Sequence, residues 1–405
     1  MSSALRSLKG GSLLPKILVG VLIIGIFFQL QWSSSSSSTP AAIEDETSTP
    51  PEYFNDKPAK ASAHAETPKP TPAAASDAHD YSKTFVSYGP TKCLPEFTDK
   101  MKAAAIERNH TCAKYAPFTV QESRRVAFAG ITTGKPVEAY QRAIASQMFA
   151  AAVQGTSAHI LCDQLFDSTW NKIAFLLNLV MNEMLKPANE RLEWIMWIDR
   201  DAIILDPCRP LSSFLPPNTP DFDDVNLITN NDALGLNNGV FLFKVSDWAT
   251  NYFNAVLAFR YFRPDEQLTQ AEQSGMDRIM HEDKFKKGFV RVPWYWFNAY
   301  PDEDDSVNKY REGRETEDLE WFRARKGDYV VHFAGDDGRS GRMPDWENMI
   351  EEVGNVYEKK EQQRDVTKEV EKYWQSWKAG SLTEHQITGE KWREENVEGK
   401  NKKEG

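Results

Sequence analysis

The strongest hydrophobic pattern in the chain is a run of five bulky apolar residues, Trp194–Ile198, which is followed at once by Asp199, Arg200 and Asp201. A continuous apolar run of this length is typical of a β-strand that is buried on both faces. Side chains alternate along an extended chain, so Asp199 and Asp201 are predicted to point one way and Arg200 the other. We therefore expect two carboxylates to converge at the carboxyl end of a core strand.

Further apolar runs alternate with amphipathic segments, which predicts an α/β domain. The predicted strands are residues 124–134, which run into a glycine-containing loop, and residues 159–162, 227–229, 240–245 and 328–335. Helices are predicted at residues 139–153 and 248–262, between a cap at Ser168 and an end at Pro187, and from Glu272 onward. The charged segment from Asp345 is also predicted to be helical, and its apolar stripe consists of Val366, Val370, Tyr373, Trp374 and Trp377. The aromatic run at residues 292–298 is interpreted mainly as core, with stacking on a sugar as the alternative.

The N-terminal part of the chain has a different pattern. Residues 1–12 carry basic but no acidic residues, residues 13–32 are mainly apolar and long enough to cross a bilayer, and residues 33–80 are rich in Ser, Pro, Ala and Thr. We interpret them as a cytosolic tail, a transmembrane signal anchor and a disordered stem. A cleaved signal peptide is the alternative to the anchor, but the Gln-Leu-Gln-Trp sequence at residues 29–32 is a poor cleavage site.

The rest of the chain is interpreted as a catalytic domain at residues 81–358 and a charged helix and tail at residues 359–405. The formal net charge of −11 argues against a nucleic-acid partner, because phosphate contacts need a basic face. The four cysteines are Cys93, Cys112, Cys162 and Cys208. They include no C-x-x-C pair, which argues against a structural zinc site. Disulfides, with Cys93–Cys112 as the most local candidate, and four free thiols both remain open.

Two carboxylates at the end of a core strand are suited to a hard divalent cation. Two other acidic triplets, at residues 221–223 and 302–304, lack an apolar run before them and are interpreted as loop acids. His332 leaves the predicted strand at residues 328–335 and is the candidate for a third metal ligand. A histidine that is simply hydrogen-bonded in the core is the alternative.

Three other positions carry chemistry that the residues alone leave open. Lys172 lies in the first turn of a predicted helix, where it opposes the helix dipole and is placed to meet an anion, although a solvent-facing lysine fits the sequence better. The run at residues 230–239 is rich in Asn and Gly and fits either tight turns or hydrogen bonds to sugar hydroxyls. Glu272 is either a helix-start acid or a residue that faces a sugar.

Taken together, these motifs resemble glycosyltransferase family 34, the fungal Golgi α-galactosyltransferase and α-1,6-mannosyltransferase group, which has plant xyloglucan xylosyltransferases as relatives. The similarity covers roughly residues 125–346. The motifs occur in family order as Trp170-x-Lys172, Trp197-Ile198-Asp199-Arg200-Asp201-Ala202, Gly235-Leu236-Asn237-Asn238-Gly239-Val240-Phe241-Leu242, Glu272-Gln273-Ser274 and His332-Phe333-Ala334-Gly335. The ordered set is far more specific than any one of its members.

The resemblance implies a GT-A fold, a Rossmann-like mixed sheet flanked by helices, and retaining transfer of a hexose from a nucleotide sugar to a glycan acceptor. The implied cofactors are Mn²⁺ or Mg²⁺ and a donor such as UDP-galactose or GDP-mannose. By motif position, the metal ligands would be Asp199, Asp201 and His332, the catalytic candidates Lys172, Glu272 and Gln273, and the donor-binding residues Lys172, Asn237, Asn238, Gly239 and Gly335.

Two departures from the family pattern motivate an alternative. Arg200 replaces a small residue in the acidic triplet, and Asp336-Asp337 follow Gly335, where they would repel a diphosphate unless Arg339 or Arg342 compensates. The alternative is a non-catalytic GT-A subunit of a Golgi glycosyltransferase complex, and a secreted carbohydrate-binding protein is a weaker one. On the main interpretation the protein is a single-pass type II Golgi membrane protein whose catalytic domain is lumenal.

Overall fold

The computed structural model describes residue 81 and residues 83–115, 124–302, 306–313, 319–336, 338–354 and 364–390. The predicted cytosolic tail, signal anchor and stem lie outside the described residues. None of the helices in the described part combines the length and the apolar composition that a membrane span needs.

A mixed sheet of seven strands forms the centre of the described part of the chain. Its strands are β1 (Phe85–Tyr88), β2 (Val126–Ile131), β3 (Ser157–Leu161), β4 (Trp194–Ile198), β6 (Leu227–Asp232), β7 (Gly235–Lys244) and β8 (Phe289–Arg291), and β5 (Ala202–Ile204) and β9 (Val330–His332) form a separate antiparallel pair. The order in the sheet is β1-β3-β2-β4-β7-β6-β8, and β7 alone runs antiparallel to its neighbours. The mixed α/β fold predicted from the sequence is confirmed.

Helices cover both faces of this sheet. They are α1 (Asp99–Tyr115), α2 (Glu138–Gln154), α3 (Trp170–Met184), α4 (Asp247–Phe262), α5 (Ala271–Met280), α6 (Ser306–Glu312), α7 (Arg339–Val353), α8 (Thr367–Lys378) and α9 (Glu384–Thr388). Helices α2, α7 and α8 pack into the hydrophobic core on one face, and α3, α4 and α5 pack into the core on the other. This layering leaves the ends of the strands as the open edges of the domain.

Strand β4 is buried on both faces, as its unbroken apolar run predicts. Trp194, Met196 and Ile198 belong to one core, and Ile195 and Trp197 belong to the other. All five are buried. Burying such side chains contributes roughly 1.5–3 kcal/mol each relative to exposure, so β4 holds a rigid position from which the following residues are presented.

The polar ends of three strands meet at one edge of the sheet. Ile198 at the end of β4 pairs with Val240 in the antiparallel strand β7, so residues 237–239 lie just beyond the end of β4. Strand β6 ends at Asp232, which pairs with Gly235 at the start of β7. The Asn-rich run is therefore a hairpin, in which residues 233–234 form the turn and the asparagines belong to the paired ends of β6 and β7. The hairpin opens onto the same edge as the acidic triplet.

The pairing of β5 with β9 brings a distant histidine to this edge. The register places Ala202 opposite His332. The backbone N–H of Phe333 also donates to the carbonyl oxygen of Asp201 at 3.0 Å. Residues more than a hundred positions apart in the sequence are thereby fixed side by side by a backbone ladder.

Two disulfides join the outer elements to the sheet, and they correct the local pairing. Cys93 is bonded to Cys162, and Cys112 is bonded to Cys208. The predicted Cys93–Cys112 pair is wrong because the parallel strands β1 and β3 bring the segments that follow them together, whereas α1 carries Cys112 to the segment after β5. Each bond closes a long loop, which favours the folded chain by restricting the unfolded one.

Two other local predictions have different outcomes. Ser168 does not cap α3: it has a φ of 50°, and the loop is tied instead by the side chain of Asn171, which accepts from the N–H groups of Leu165 and Phe166 at 2.8 and 2.7 Å. The apolar stripe of α8 is confirmed, because Val370, Tyr373 and Trp374 are buried in the main core.

Candidate active site

Asp199, Asp201 and His332 form a cluster at the open edge of the sheet. Each offers one ligand atom, and these atoms all lie within 4.8 Å of one another. Asp201 and His332 are buried, and the side chain of Asp199 is 26 % exposed. The three predicted metal ligands are thus brought together in one place that still reaches solvent.

The two carboxylates converge for a reason other than the predicted one. The acidic triplet is not an extended strand, because the backbone N–H of Ala202 donates to the carbonyl oxygen of Asp199 at 3.1 Å and closes a turn. The turn folds Asp201 back beside Asp199, and β5 continues from it. Arg200, which is exposed, lies with its guanidinium carbon 4.6 Å from the ring centroid of Tyr140.

Gly239 makes room for the imidazole of His332. A Cβ at this position would lie 2.1 Å from Cε1 of His332 and 2.8 Å from Nε2. Carbon atoms pack no closer than about 3.5 Å, so any other residue here would displace the ring. Position 239 therefore requires glycine for a steric reason, which the sequence motif alone does not reveal. Gly335 has a φ of 67° and lies at the edge of the same site.

Lys172 is buried among carboxylates, which overturns its interpretation as a solvent-facing lysine. Its Nζ lies 3.0 Å from Oδ1 of Asp199 and 3.5 Å from Oε1 of Glu272. It also donates to the backbone oxygen and to Oδ1 of Asn238, both at 3.0 Å. Burial lowers the pKa of Lys172, but the carboxylates of Asp199 and Glu272 outweigh this effect and hold the pKa above its ordinary value. The ammonium group is therefore kept charged in the site.

The two aspartates differ in their protonation behaviour. Burial and the neighbouring carboxylate of Asp201 raise the pKa of Asp199, against the opposing effect of Lys172. Burial also tends to raise the pKa of Asp201, but the neighbouring imidazole of His332 and the guanidinium of Arg339 hold the pKa well below its ordinary value. Arg339 forms an ion pair with Asp201.

Helix α5 supplies two more of the predicted residues. Glu272 is buried, and its Oε1 accepts from the side-chain amide of Asn238 at 3.2 Å. Oε1 of Gln273 accepts from the backbone N–H of Asn238 at 3.0 Å. Glu272 is therefore part of the site rather than only an acid at a helix start, and Asn238 links α3, β7 and α5.

Two cavities meet at this cluster. The first has a volume of about 740 Å³ and is lined by residues of the β2–α2 loop, the start of α3, the acidic triplet and the start of α5. The second has a volume of about 470 Å³ and is lined by the β6–β7 turn, the aromatic residues Trp294, Tyr300 and Phe322, and His332. The cavities share six lining residues, Asp199, Asp201, Asn238, Gln270, Gln273 and Arg339.

The charge of Asp336 is compensated in the way that the sequence allowed. Its Oδ2 lies 2.8 Å from Nη1 of Arg342. Arg339, the other candidate, pairs with Asp201 instead. Asp337 lies outside the described residues. The described acid after Gly335 is thus neutralised and does not face the site as an isolated negative charge.

Some residues of the site were not found from the sequence. Asp232, Asn298 and Tyr300 are joined to Asn237 and His332 by hydrogen bonds. Asn298 ends a run of aromatic residues whose pattern indicates core packing, so the run gives no sign of a polar role for Asn298. A sequence signal existed for Asp232, since it lies inside the Asn-rich run at residues 230–239.

One family of known proteins matches a part of this chain. The sequence model of the galactosyl transferase GMA12/MNN10 family matches residues 209–340. The resemblance drawn from the motifs is therefore confirmed, and it supports a glycosyl transfer role. The matched segment contains Asn237, Glu272 and His332, whereas Lys172 and the acidic triplet precede it. A search of curated proteins gave no match.

The comparison with solved structures found glycosyltransferases at low identity and low TM-score. One, involved in the glycosylation of the major capsid of PBCV-1, is 15% identical, with a TM-score of 0.40 over 54% of this chain and 98% of that chain. Another is GlyE of Streptococcus pneumoniae TIGR4, at 15% identity and a TM-score of 0.31, and its apo form gives 14% and 0.32. In both GlyE comparisons the match covers 57% of this chain and 63% of that chain, which is less than two thirds of GlyE.

Proposed function

We propose that this protein is a metal-dependent glycosyltransferase that moves a hexose from a nucleotide sugar to a glycan hydroxyl with retention, forming an α-linkage. The observation that carries the proposal is the position of the Asp199, Asp201 and His332 cluster, which lies where two cavities of different chemistry meet. A transferase needs this arrangement, because donor and acceptor must approach one reaction centre from separate sites.

The ligand atoms of the cluster fit a divalent cation. Two carboxylates and one imidazole within 4.8 Å of one another form a mixed oxygen and nitrogen set that suits Mn²⁺ and also admits Mg²⁺. Asp199, Asp201 and His332 would hold the ion. When bound, such an ion supplies positive charge that stabilises a diphosphate leaving group.

The first cavity is suited to the nucleoside diphosphate part of the donor. Its charged lining residues are three cations and three carboxylates, Lys172, Arg200, Arg339, Asp199, Asp201 and Glu272. These charges balance, so a divalent cation in the cluster would leave two positive charges, which match the two negative charges of a diphosphate. The N-terminus of α3 also lines this cavity and favours anions. The volume of about 740 Å³ lies within the range of ligand pockets, roughly 300–1,000 Å³.

The second cavity is suited to a neutral glycan acceptor. Trp294 and Phe322 stack with ring centroids 4.3 Å apart and an interplanar angle of 8°, and Phe322 is half-buried at the cavity wall. Leu234 is 78 % exposed at the same wall. Apolar surfaces of this kind pack against the C–H faces of sugars, while Asp232 and Arg323 supply polar edges.

In the proposed reaction, the acceptor hydroxyl oxygen bonds to the anomeric carbon while the bond from that carbon to the phosphate oxygen breaks on the same face. The hydroxyl proton passes to the leaving phosphate oxygen, which gives a glycoside and a nucleoside diphosphate. Lys172 stays charged beside the leaving group. Gln273 lines both cavities and is placed to hold the hexose between them, while Glu272 fixes Lys172 and Asn238.

The proposal extends to the location of the protein. The two disulfides fit an oxidising compartment, as a lumenal domain requires. We propose a type II membrane protein with its anchor at residues 13–32, which acts at the Golgi membrane. The proposed donor is UDP-galactose or GDP-mannose. The pairing of Asp336 with Arg342 removes one observation that favoured a non-catalytic subunit.

The experiment that tests the function measures hydrolysis and transfer of UDP-hexoses and GDP-hexoses by the purified full chain, with Mn²⁺ and with chelator. We expect one nucleotide sugar to be consumed only when metal is present, and Asp201→Asn to lower the rate by on the order of 100-fold or more. Asp221→Asn is the matched control, since Asp221 lies in another acidic triplet and pairs with Lys378 at the surface. Equal, metal-independent rates in all three proteins would contradict the proposal.

A further inference from the structure

A chain of buried amides lies behind the imidazole of His332. Asn298 is fully buried, and its Oδ1 lies 2.7 Å from Nδ1 of His332. Its Nδ2 donates to Oδ1 of Asn230 at 2.8 Å and to Oδ1 of Asn237 at 2.9 Å. Every hydrogen-bonding atom of this side chain is therefore engaged, with three different partners.

The direction of this chain is fixed by groups whose hydrogen-bonding roles are not ambiguous. A backbone N–H can only donate, and that of Gly239 donates to Oδ1 of Asn237 at 2.9 Å. A carboxylate can only accept, and Oδ2 of Asp232 accepts from Nδ2 of Asn237 at 2.9 Å. The hydroxyl of Tyr300 accepts from the same Nδ2 at 2.6 Å and donates to Asp232 at 2.8 Å. The two ends of the Asn237 amide are thereby assigned.

This assignment determines the next amide and then the imidazole. Because Oδ1 of Asn237 is an acceptor, the Asn298 atom that faces it must be the donor Nδ2. The other end of Asn298 is then the acceptor Oδ1, and it faces Nδ1 of His332. An acceptor at that position needs a proton on Nδ1, so the lone pair of the neutral imidazole lies on Nε2. Nε2 is the atom that lies 3.4 Å from Oδ1 of Asp201 in the cluster.

We propose that Asn237 and Asn298 are positioning residues that lock His332 in the tautomer whose Nε2 lone pair faces Asp201, where a divalent cation can use it. The metal part of this inference rests on the proposed function, whereas the tautomer is a property of the protein by itself. Neutral amides suit the task because a carboxylate at position 298 would add a third buried negative charge beside Asp199 and Asp201. A carboxylate would also leave Asn230 and Asn237 without their donor.

The tautomer can be read directly from ¹⁵N chemical shifts of histidine. The experiment uses the full chain labelled with ¹⁵N-histidine, without metal. The signals of His332 are assigned by their loss in His332→Gln. We expect a protonated Nδ1, because the amide chain presents only an acceptor to this atom. An unprotonated Nδ1 in the wild-type protein would overturn the proposal, whatever the variants do.

Variants then test the role of the amides. Asn298→Ala is expected to populate both tautomers and to weaken Mn²⁺ binding by about 10- to 100-fold, the usual effect of losing a partner behind a metal ligand. Asn298→Asp keeps an acceptor for Nδ1 but removes the donor to Asn230 and Asn237, and it is expected to keep the proton on Nδ1. The wild-type spectrum tests the assignment of Nδ1 even if neither variant folds. An unchanged tautomer and unchanged Mn²⁺ affinity in Asn298→Ala would contradict the lock.

The outcomes separate this inference from the proposed function. Protonation at Nδ1 together with no Mn²⁺ binding and no transfer would leave the lock standing and remove the glycosyltransferase assignment. Metal-dependent transfer together with an unprotonated Nδ1 would do the reverse.

Discussion

The two cavities that meet at the cluster are supported by different chemistry. On the side of the first cavity, the buried groups are charged: Lys172 lies between Asp199 and Glu272 and donates to Asn238. On the side of the second cavity, the groups behind His332 are the neutral amides of Asn298 and Asn237. Each network satisfies its polar atoms, but one does so with ion pairs and the other with a directed chain of hydrogen bonds.

This difference fits the roles that we propose for the two sides. A diphosphate brings negative charge, so a buried ammonium held charged by two carboxylates gives the first cavity a fixed cation at little cost in reorganisation. The proposed neutral acceptor brings no charge, and a charged group in place of Asn298 would disturb His332, the proposed metal ligand. The amides orient the imidazole without changing the charge of the site. A change to the cluster that both sides share should have the largest effect, and changes confined to one side should have smaller ones.

The largest effect is expected from Gly239→Ala, because it changes the packing against His332 in the cluster that both cavities share. The added methyl group would overlap the imidazole of His332, since a Cβ at this position lies 2.1 Å from Cε1. We expect metal-dependent transfer to fall by about 100-fold or more, measured with saturating donor. Gly341→Ala is the control, because a Cβ there meets nothing within 4 Å. Equal losses in the two variants would mean that the packing on His332 is not the cause.

The next effect is expected on the charged side. Lys172→Met should weaken nucleoside diphosphate binding by roughly tenfold or more and lower the free energy of unfolding by about 3 kcal/mol, because Asp199 and Glu272 lose their partner. Competition by the nucleotide and chemical denaturation are the measurements. The double variant Lys172→Met, Glu272→Gln should recover part of the stability but not the nucleotide affinity. Recovery of both would show that Lys172 serves only the fold.

A smaller effect is expected on the aromatic side. Leu234→Ser and Phe322→Ala remove apolar surface from the second cavity and should raise KM for the glycan acceptor by roughly tenfold, the value of one or two kcal/mol of lost packing. Acceptor-independent hydrolysis of the donor should change much less. Leu185→Ser is the control, since the side chain of Leu185 is 85 % exposed and lines neither cavity. A larger change in hydrolysis than in KM would reverse the assignment of the cavities.

The smallest effect on activity is expected from Glu347, a buried acid that belongs to neither side. Burial raises the pKa of Glu347 to about 7, although Nε of Arg142 lies 3.1 Å from its carboxylate. The folded protein therefore binds this proton more tightly than the unfolded chain, whose glutamate has a pKa of about 4.5. The stability that this group contributes is complete below that lower pKa and is lost as the pH rises through about 7.

Glu347→Gln should remove this dependence. We expect the variant to gain roughly 1–3 kcal/mol in the free energy of unfolding relative to wild type above the higher pKa, with transfer activity retained. Denaturation across the pH range is the measurement, and Glu351→Gln, an exposed position on the same helix, is the control. Parallel pH profiles for wild type and Glu347→Gln would show that Glu347 is not the titrating group.

The sequence was a good guide where a local pattern determines the structure. The apolar run Trp194–Ile198 predicted a strand buried on both faces, which the structure has. The ordered motifs predicted that Asp199, Asp201 and His332 share one site, and the structure brings the three together. It failed where the outcome depends on tertiary contacts. Lys172 reads as a surface residue because its partners Asp199 and Glu272 are distant in the chain, and the cysteine pairing follows strand order rather than spacing. Asn298 could not be identified because its role exists only through the chain of amides around it.

The most direct test of the central claim is calorimetric titration of Mn²⁺ into the full chain in the absence of nucleotide. The account predicts one site per chain in the wild-type protein and in Asp221→Asn. It predicts that Asp201→Asn and His332→Gln weaken this site by about 10- to 100-fold or more, since each removes one ligand of the cluster. Mn²⁺ binding of wild-type strength in Asp201→Asn and His332→Gln would contradict it.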